Sequence, residues 1–336
     1  MPARSYQTNR DPPFGLKKPR QSTIFPCLPA SCDGDGYMSS HSTRGMIPRN
    51  RLPYSAMVDR PRRHLPGGAR VVVWPIVNVE DWDIGRPMAR QVLPAPTAAP
   101  VLPDVANWSW HEYGMRVGFW RLKQALDSRG MRATLAINGR VCESYPVVAG
   151  AALDAQWEFM GHGYIQMPTH QVEDQPAMIG QTLDTIERFT GSRPKGWLGP
   201  GLTQTLDTVD HLTAAGIRYI GDWVLDDQPC DIATANGPLV AMPYSLELND
   251  VPMMAVQHHR SDVFSERVRD SFDRLYAEGA EQPRVMAIAI HPFLSGVPHR
   301  IKYLEQALDY VRGHKDVLFW TGEQILDWHV SQAASR

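Results

Sequence analysis

Apolar residues fall into short runs and helical repeats that alternate along the chain from about residue 70 onward. Residues 71–79 form a nearly unbroken apolar run, and a second run over 285–290 ends at His291. Such runs are typical of parallel strands that are buried on both faces. Between the runs lie segments with apolar residues at helical spacing, several of which end at a glycine. The pattern therefore predicts strands and helices in alternation.

Seven or eight strands and their connecting helices can be placed from this pattern. Strands are predicted at 71–79, 132–138, 157–164, 194–201, 217–223, 239–250, 284–292 and 317–322. Helices are predicted at 112–130, 145–156, 176–191, 205–216, 265–279, 301–314 and 323–329. The alternation favours an α/β fold with a closed or nearly closed (β/α) barrel. An open doubly wound sheet is the alternative, but no strand is followed by a phosphate-binding glycine loop.

The N-terminal part of the chain differs from the remainder in composition. Residues 1–65 are rich in Pro, Ser and Arg, and we predict that they form a disordered basic extension. Residues 66–332 are predicted to form one catalytic barrel domain. A Pro- and Ala-rich loop over 93–106 is expected to pack over the barrel.

Charge and cysteine content narrow the class of protein. The 336 residues carry a net charge of −2, which gives no indication of nucleic-acid binding. No apolar run is long enough for a membrane span, and the first 21 residues lack the apolar stretch of a secretory signal. The four cysteines form no CxxC pair, so we expect a reducing, cytoplasmic location.

Polar side chains follow the ends of five predicted strands. They are Glu80 with Asp81, Asn138, His162, Asp222 and His291. A single histidine after a buried strand is most simply a core residue with a satisfied hydrogen bond. Because the carboxyl ends of barrel strands converge on one mouth, the whole set instead predicts an active site.

The residue types at this mouth suit hydrolysis. A carboxylate can deprotonate water while an imidazole protonates the leaving atom. A dehydrogenase would need a cofactor loop and a serine hydrolase a GxSxG turn, and the sequence contains neither. The strand end at Gly199 and Pro200 offers a place where a substrate can approach the backbone closely.

Five stretches carry a resemblance to a known family. They are "EYGMRVGFWRL" (112–122), "GHGY" (161–164), "YIGDWVLDDQP" (219–229), "PYSLELND" (243–250) and "LYAEGAEQPRVMAIAIHP" (275–292). With them, residues 70–330 resemble the polysaccharide deacetylase superfamily, the NodB-homology domain of carbohydrate esterase family 4. Within it the chain is most similar to the allantoinase-like, urate catabolism branch.

The resemblance implies a distorted (β/α)7 barrel that hydrolyses amide C–N bonds. Glu80 and Asp81 stand where the family has a base carboxylate followed by a metal-binding one, and His291 matches the general acid. We therefore expect Glu80, Asp81 and His291 to be the catalytic residues. The resemblance also implies a homo-oligomer, such as a tetramer, that acts on a small molecule.

The metal-binding motif of the family is incomplete in this sequence. Asp81 and His162 match two ligands, but Gln166 stands where the second histidine is expected. His170 could replace it if its loop folds back, which would give a zinc site of Asp81, His162 and His170. The alternative is a site that works without a metal, as is thought for the allantoinase-like branch.

Substrate contacts are expected from two further strand ends. The predicted pocket residues are Asp222, Trp223, Asp227, Gly199 and Pro200. The leading hypothesis is hydrolysis of a small cyclic or acyl amide such as allantoin or a related ureide. The alternatives are a zinc-dependent carbohydrate or peptidoglycan N-deacetylase and a barrel that binds a ligand without catalysis.

Overall fold

A computed structural model describes residues 47–97, 99 and 101–334 of the chain. Most of the predicted extension, residues 1–46, therefore lies outside the described residues. The described strands are β1 (Val71–Val79), β2 (Thr134–Ile137), β3 (Glu158–Gly161), β4 (Gly196–Trp197), β5 (Tyr219–Ile220), β6 (Cys230–Thr234), β7 (Gly237–Ala241), β8 (Arg284–Ile290) and β9 (Val317–Phe319).

These strands form one curled sheet in the order β6-β7-β5-β4-β3-β2-β1-β8, and β9 pairs with the first residues of β1. All pairs are parallel except the β6–β7 hairpin. Between β7 and β8, Asn249 makes a single parallel bridge to Ala289. The arrangement confirms the predicted α/β barrel-type fold.

The helices connect the strands as the alternation predicts. They are α1 (Pro48–Arg51), α2 (Val105–Tyr113), α3 (Phe119–Asp127), α4 (Val141–Ser144), α5 (Pro146–Asp154), α6 (Gln175–Thr190), α7 (Thr208–Ala214), α8 (Asp262–Glu278), α9 (Ile301–Arg312) and α10 (Gly322–Ala334). Among the described residues, none of these helices has both the length and the apolar character that crossing a membrane requires.

The two faces of β1 show why its sequence is apolar throughout. Val71, Val73 and Val77 pack into a cluster with residues of helices α3, α8 and α9. Val72 and Trp74 belong to a second cluster with inward-facing residues of the neighbouring strands. Because successive side chains of a strand point to opposite faces, a strand between helices and a barrel interior is apolar at every position.

Some elements differ from the sequence-based expectation. The helix predicted over 112–130 begins earlier, at Val105, and a π-helical turn over Gly114–Gly118 joins α2 to α3. The start was missed because a proline-rich segment precedes it, whereas the Asp104 side chain caps the helix by accepting from the N–H of Asn107. The β6–β7 hairpin was not predicted either, since its strands are short and partly exposed.

Residues 47–65 correct the predicted boundary of the extension. Arg51 is 1% exposed, and its guanidinium donates two hydrogen bonds, 2.9 and 2.6 Å long, to the Asp210 carboxylate. Arg60 makes a similar pair with Asp226. Arg51 and Arg60 are therefore paired with carboxylates of the barrel domain rather than solvated, and a bidentate arginine pair is among the stronger polar contacts.

Glycines allow the π-helical turn to lie directly against the chain that follows β8. A Cβ at Gly118 would lie 2.0 Å from the carbonyl oxygen of Pro292, a backbone atom that cannot give way. We expect Gly118→Ala to lower the free energy of unfolding by about 1–3 kcal/mol, as overpacking does. Gly180→Ala is the control: its Cβ would meet nothing within 4 Å, so helix α6 should gain about 0.5–1 kcal/mol. Urea denaturation measures both, and equal stabilities would contradict the prediction.

Candidate active site

A cavity of about 580 Å³ opens at the carboxyl ends of the barrel strands. Five of the residues that line it were predicted from the sequence as catalytic, metal-binding or substrate-binding residues: Glu80, His162, Gly199, Pro200 and His291. They follow the ends of β1, β3, β4 and β8. The volume is in the range of small-molecule sites in proteins.

Glu80 lines this cavity and faces two histidines. Its Oε1 is 3.7 Å from Nε2 of His162 and 3.5 Å from Nε2 of His291. The Gln166 amide donates to Oε1 at 2.9 Å, and the Trp82 indole donates to Oε2 at 3.0 Å. Burial alone would raise the pKa of the Glu80 carboxyl, but the two histidines that face it outweigh burial and lower the pKa. Glu80 is therefore a carboxylate at neutral pH.

Asp250 holds His291 in place from the side opposite Glu80. Its Oδ1 is 2.6 Å from Nδ1 of His291, and its Oδ2 accepts from the His291 main-chain N–H and the Ser295 hydroxyl. Burial opposes the charged form of His291, but Asp250 and Glu80 raise its pKa to about 10. The imidazole is therefore protonated at neutral pH, with its Nε2 proton directed to the cavity.

His162 presents a nitrogen with no hydrogen-bond partner to the same cavity. Its Nδ1 lies 2.6 Å from the carbonyl oxygen of Leu198, so Nδ1 must carry the proton that it donates. Among the described residues, Nε2 has no hydrogen-bond partner although it is buried. In the neutral ring this Nε2 can accept a hydrogen bond from water or substrate.

Asp81 does not face the cavity, which corrects its expected catalytic and metal-binding roles. Both carboxylate oxygens accept from the Arg140 guanidinium at 2.8 Å. Its main-chain N–H donates to Asn138, and its carbonyl oxygen accepts from the N–H of Gln166. Because successive residues of extended chain point to opposite sides, Glu80 faces the cavity and Asp81 faces away.

The described residues do not fit the zinc site that the family resemblance suggests. Asp81 is paired with Arg140, and His170 is exposed and does not line the cavity. The Gln166 amide donates to Glu80, and its oxygen is 3.3 Å from Asn138 Nδ2. Among residues 47–97, 99 and 101–334, no group of three or more His, Cys, Asp or Glu is arranged to hold a metal ion. The set Asp81, His162 and His170 is thus not brought together.

Asp222 lies behind the cavity wall rather than in it. Its carboxylate accepts from the main-chain N–H of Gly199 at 2.6 Å and from the Gln204 amide. Burial raises its pKa to about 6. The Trp223 indole donates to the other end of the Gln204 amide, at 2.9 Å, and does not line the cavity. Asp222 and Trp223 therefore support the Gly199 loop from behind and do not line the cavity, contrary to the prediction.

Asp227 lies at the opposite end of the barrel. Its carbonyl oxygen accepts from the N–H of Val285, at the start of β8, whereas His291 follows the end of that strand. Six residues of strand span about 20 Å. The predicted substrate contact of Asp227 is therefore wrong, because the chain after β5 turns back to the amino ends of the strands.

Sequence reasoning missed Asp250, the buried partner of His291. Asp250 is 0% exposed and ends the stretch 239–250 that was predicted as a strand. The rule that selected Glu80 and His162, a polar residue directly after a strand, could have selected it. The real strand β7 ends at Ala241, and the bridge between Asn249 and Ala289 carries Asp250 to His291.

Comparisons with known proteins agree with this fold. A family model described as "Polysaccharide deacetylase" matches residues 111–220. A Schizosaccharomyces pombe protein named "Putative polysaccharide deacetylase" is 30% identical over 236 residues, which are 65% of this chain and 74% of that protein.

Two crystal structures are similar over most of the chain. One is that of Puue Allantoinase, at 26% identity and a TM-score of 0.76, covering 85% of this chain and 98% of that one. The other, a probable polysaccharide deacetylase from Pseudomonas aeruginosa PAO1, is 27% identical with a TM-score of 0.73 and covers 80% and 94%. With the sequence match to the yeast protein, these similarities show that the chain belongs to the polysaccharide deacetylase family.

Proposed function

We propose that the protein hydrolyses a non-peptide C–N bond of a small cyclic or acyl amide, such as allantoin or a related ureide. The observation that carries the proposal is the buried pair of Glu80 and His291, whose facing atoms are 3.5 Å apart inside one cavity. The similarity to the Puue Allantoinase structure supports a cyclic ureide as the substrate.

In the proposed reaction, Glu80 takes a proton from water while the water oxygen attacks the amide carbon. His291 gives its Nε2 proton to the leaving nitrogen as the C–N bond breaks. The two transfers assist each other, because the charge on His291 is one reason why the pKa of Glu80 is low. As that proton moves to the nitrogen, Glu80 becomes a stronger base.

The negative charge on the carbonyl oxygen needs a hydrogen-bond donor. The N–H of Gly199 is not free for this purpose, because it donates to Asp222. Tyr244 lines the cavity, and its hydroxyl accepts from the Asn249 amide at 3.2 Å and lies within hydrogen-bond reach of the Asn78 side chain. We infer that Tyr244 donates to the oxyanion.

Assays of the purified protein on matched substrates test the proposal. We expect ring opening of allantoin or a related cyclic ureide, which is measured as loss of the substrate and appearance of the acid product. We also expect little release of acetate from chitin oligosaccharides. Acetate release without turnover of any ureide would contradict the proposal. If no amide were hydrolysed, a barrel that binds a ligand without catalysis would be favoured instead.

A zinc-dependent carbohydrate or peptidoglycan N-deacetylase is the second candidate. Family membership and the name of the yeast relative favour it. The Arg140 pair on Asp81 and the presence of Gln166 disfavour it, since zinc prefers N, S and carboxylate ligands.

Metal removal distinguishes the two candidates. We expect protein dialysed against EDTA to keep its hydrolase activity, because its catalytic groups are side chains of the protein itself. Activity and metal content by elemental analysis are measured on the same sample. Stoichiometric zinc that is lost in the Asp81→Ala variant, together with activity, would favour the deacetylase.

A further inference from the structure

Arg90 is a cation in the cavity wall with no counter-charge. It lines the same cavity as Glu80 and His291, and its side chain is half-buried. Over the described part of the chain, its guanidinium makes no hydrogen bond or ion pair. A guanidinium always carries its charge and has five N–H donors, so an unpaired one in a binding cavity is available to a ligand.

The loop that carries Arg90 is held firmly on both sides. Met88 is 4% exposed and anchors the chain two residues before Arg90. The Asn107 side-chain oxygen of helix α2 accepts from the N–H groups of Val92 and Leu93 at 2.9 and 3.0 Å, and its amide donates back to Leu93. The backbone of Arg90 is therefore fixed before a ligand arrives, which lowers the entropic cost of binding.

The neighbouring charged groups are already engaged. Arg86, on the same loop, lies 3.6 Å from the Asp83 carboxylate, and Asp104 accepts two hydrogen bonds from Asn107. Burial lowers the pKa of the nearby His111 to about 4, so this ring is neutral at pH 7. Arg90 is thus distinguished from Arg86, the other arginine in the cavity wall, by having no acidic partner.

We propose that the substrate carries a carboxylate and that Arg90 binds it while Glu80 and His291 act on the amide. The substrate class would then be N-acyl, N-carbamoyl or cyclic-ureide derivatives of small carboxylic acids. This inference rests on the proposed function for the reaction, but the recognition of the carboxylate can be measured separately. A bidentate pair of guanidinium and carboxylate gives both charge and orientation to such a ligand.

Matched pairs of ligands test the proposal by calorimetry. The probes are N-acetylglycine, N-carbamoylglycine and hydantoin-5-acetic acid, each compared with its primary amide, which has the same shape and no charge. We expect the wild-type protein to bind at least one acid about 10- to 100-fold more tightly than its amide, the range for a hydrogen bond to a charged group. In Arg90→Gln this preference should disappear, and Arg90→Lys should restore part of it.

Arg86→Gln is the matched control, because Arg86 lies on the same loop and is paired with Asp83. We expect this variant to keep the preference for the acid. No preference for any of the three acids, or an undiminished preference in Arg90→Gln, would overturn the inference.

Turnover of the same compounds separates this inference from the proposed function. Acids that bind preferentially through Arg90 but are not hydrolysed would contradict the proposed function. They would still support recognition of the carboxylate by Arg90. Acids and amides that are hydrolysed with equal kcat/KM would support the proposed function and overturn the role of Arg90.

Discussion

Glu80→Gln is expected to lower kcat/KM by a factor of about 10²–10⁴, the usual contribution of a general base. The substitution keeps the shape of the side chain and one acceptor oxygen for the donors Trp82 and Gln166, but an amide cannot take a proton from water. The buried pair with His291 is lost at the same time, so the pKa of His291 should fall. Steady-state kinetics on the ureide substrate over pH 5–10 measure both effects.

Glu247→Gln is the matched control for this experiment. Its carboxylate is 79% exposed in a pair with Arg267, so removing its charge should change neither kinetics nor stability measurably. A Glu80→Gln variant that retains wild-type kcat/KM would show that Glu80 is not the base. Far-UV circular dichroism of both variants verifies that the fold is kept.

Asp250→Asn is expected to move the alkaline limb of the pH–rate profile to lower pH. Asp250 is the main group that raises the pKa of His291 to about 10, and Asn carries no charge. The pKa of the acid should therefore fall toward its ordinary value of 6.5. Because the reaction needs protonated His291, activity should be lost at a lower pH than in the wild type. An unmoved alkaline limb would contradict the assignment of His291 as the acid.

The same pair links stability to pH with a definite sign. A histidine whose pKa is raised by folding stabilises the protein fully below its ordinary pKa, and this contribution is lost as pH rises through the folded-state value. Asp250→Asn should thus lower the free energy of unfolding by about 3 kcal/mol near pH 6, as removal of one partner of a buried pair does. The difference from wild type should narrow near pH 10. Asp309→Asn is the control, because the Asp309 side chain, which pairs with Arg129, is 58% exposed.

Much of the barrel was predictable because its strands are apolar on both faces. The bounds of β1 agree with the predicted run 71–79, and β8 agrees to within two residues. Helix α6 ends where the sequence predicts, since Gly191 has the positive φ of 76° that a left-handed cap needs. These features are local, and each depends only on residues within the same segment.

The approximate position of the site was predictable for a geometric reason. Parallel strands present their carboxyl ends at one mouth, so Glu80, His162 and His291 could be assigned to one place without knowledge of the packing. The same rule could not tell Glu80 from Asp81, because neighbouring residues of extended chain point to opposite sides. The orientation of the strand in the barrel decides whether the Glu80 or the Asp81 side chain points into the cavity.

Only the tertiary structure decided the partners of the charged groups. Arg140 engages Asp81, Asp250 engages His291, and Asp227 lies about 20 Å from the mouth although it follows a strand that ends there. It was equally impossible to predict from the sequence that Arg86 is paired with Asp83 while Arg90 has no acidic partner. The sequence by itself determined the strands and the residue types at their ends, because burial patterns are local. The pairing of charges depends on contacts between distant segments, which no local pattern encodes.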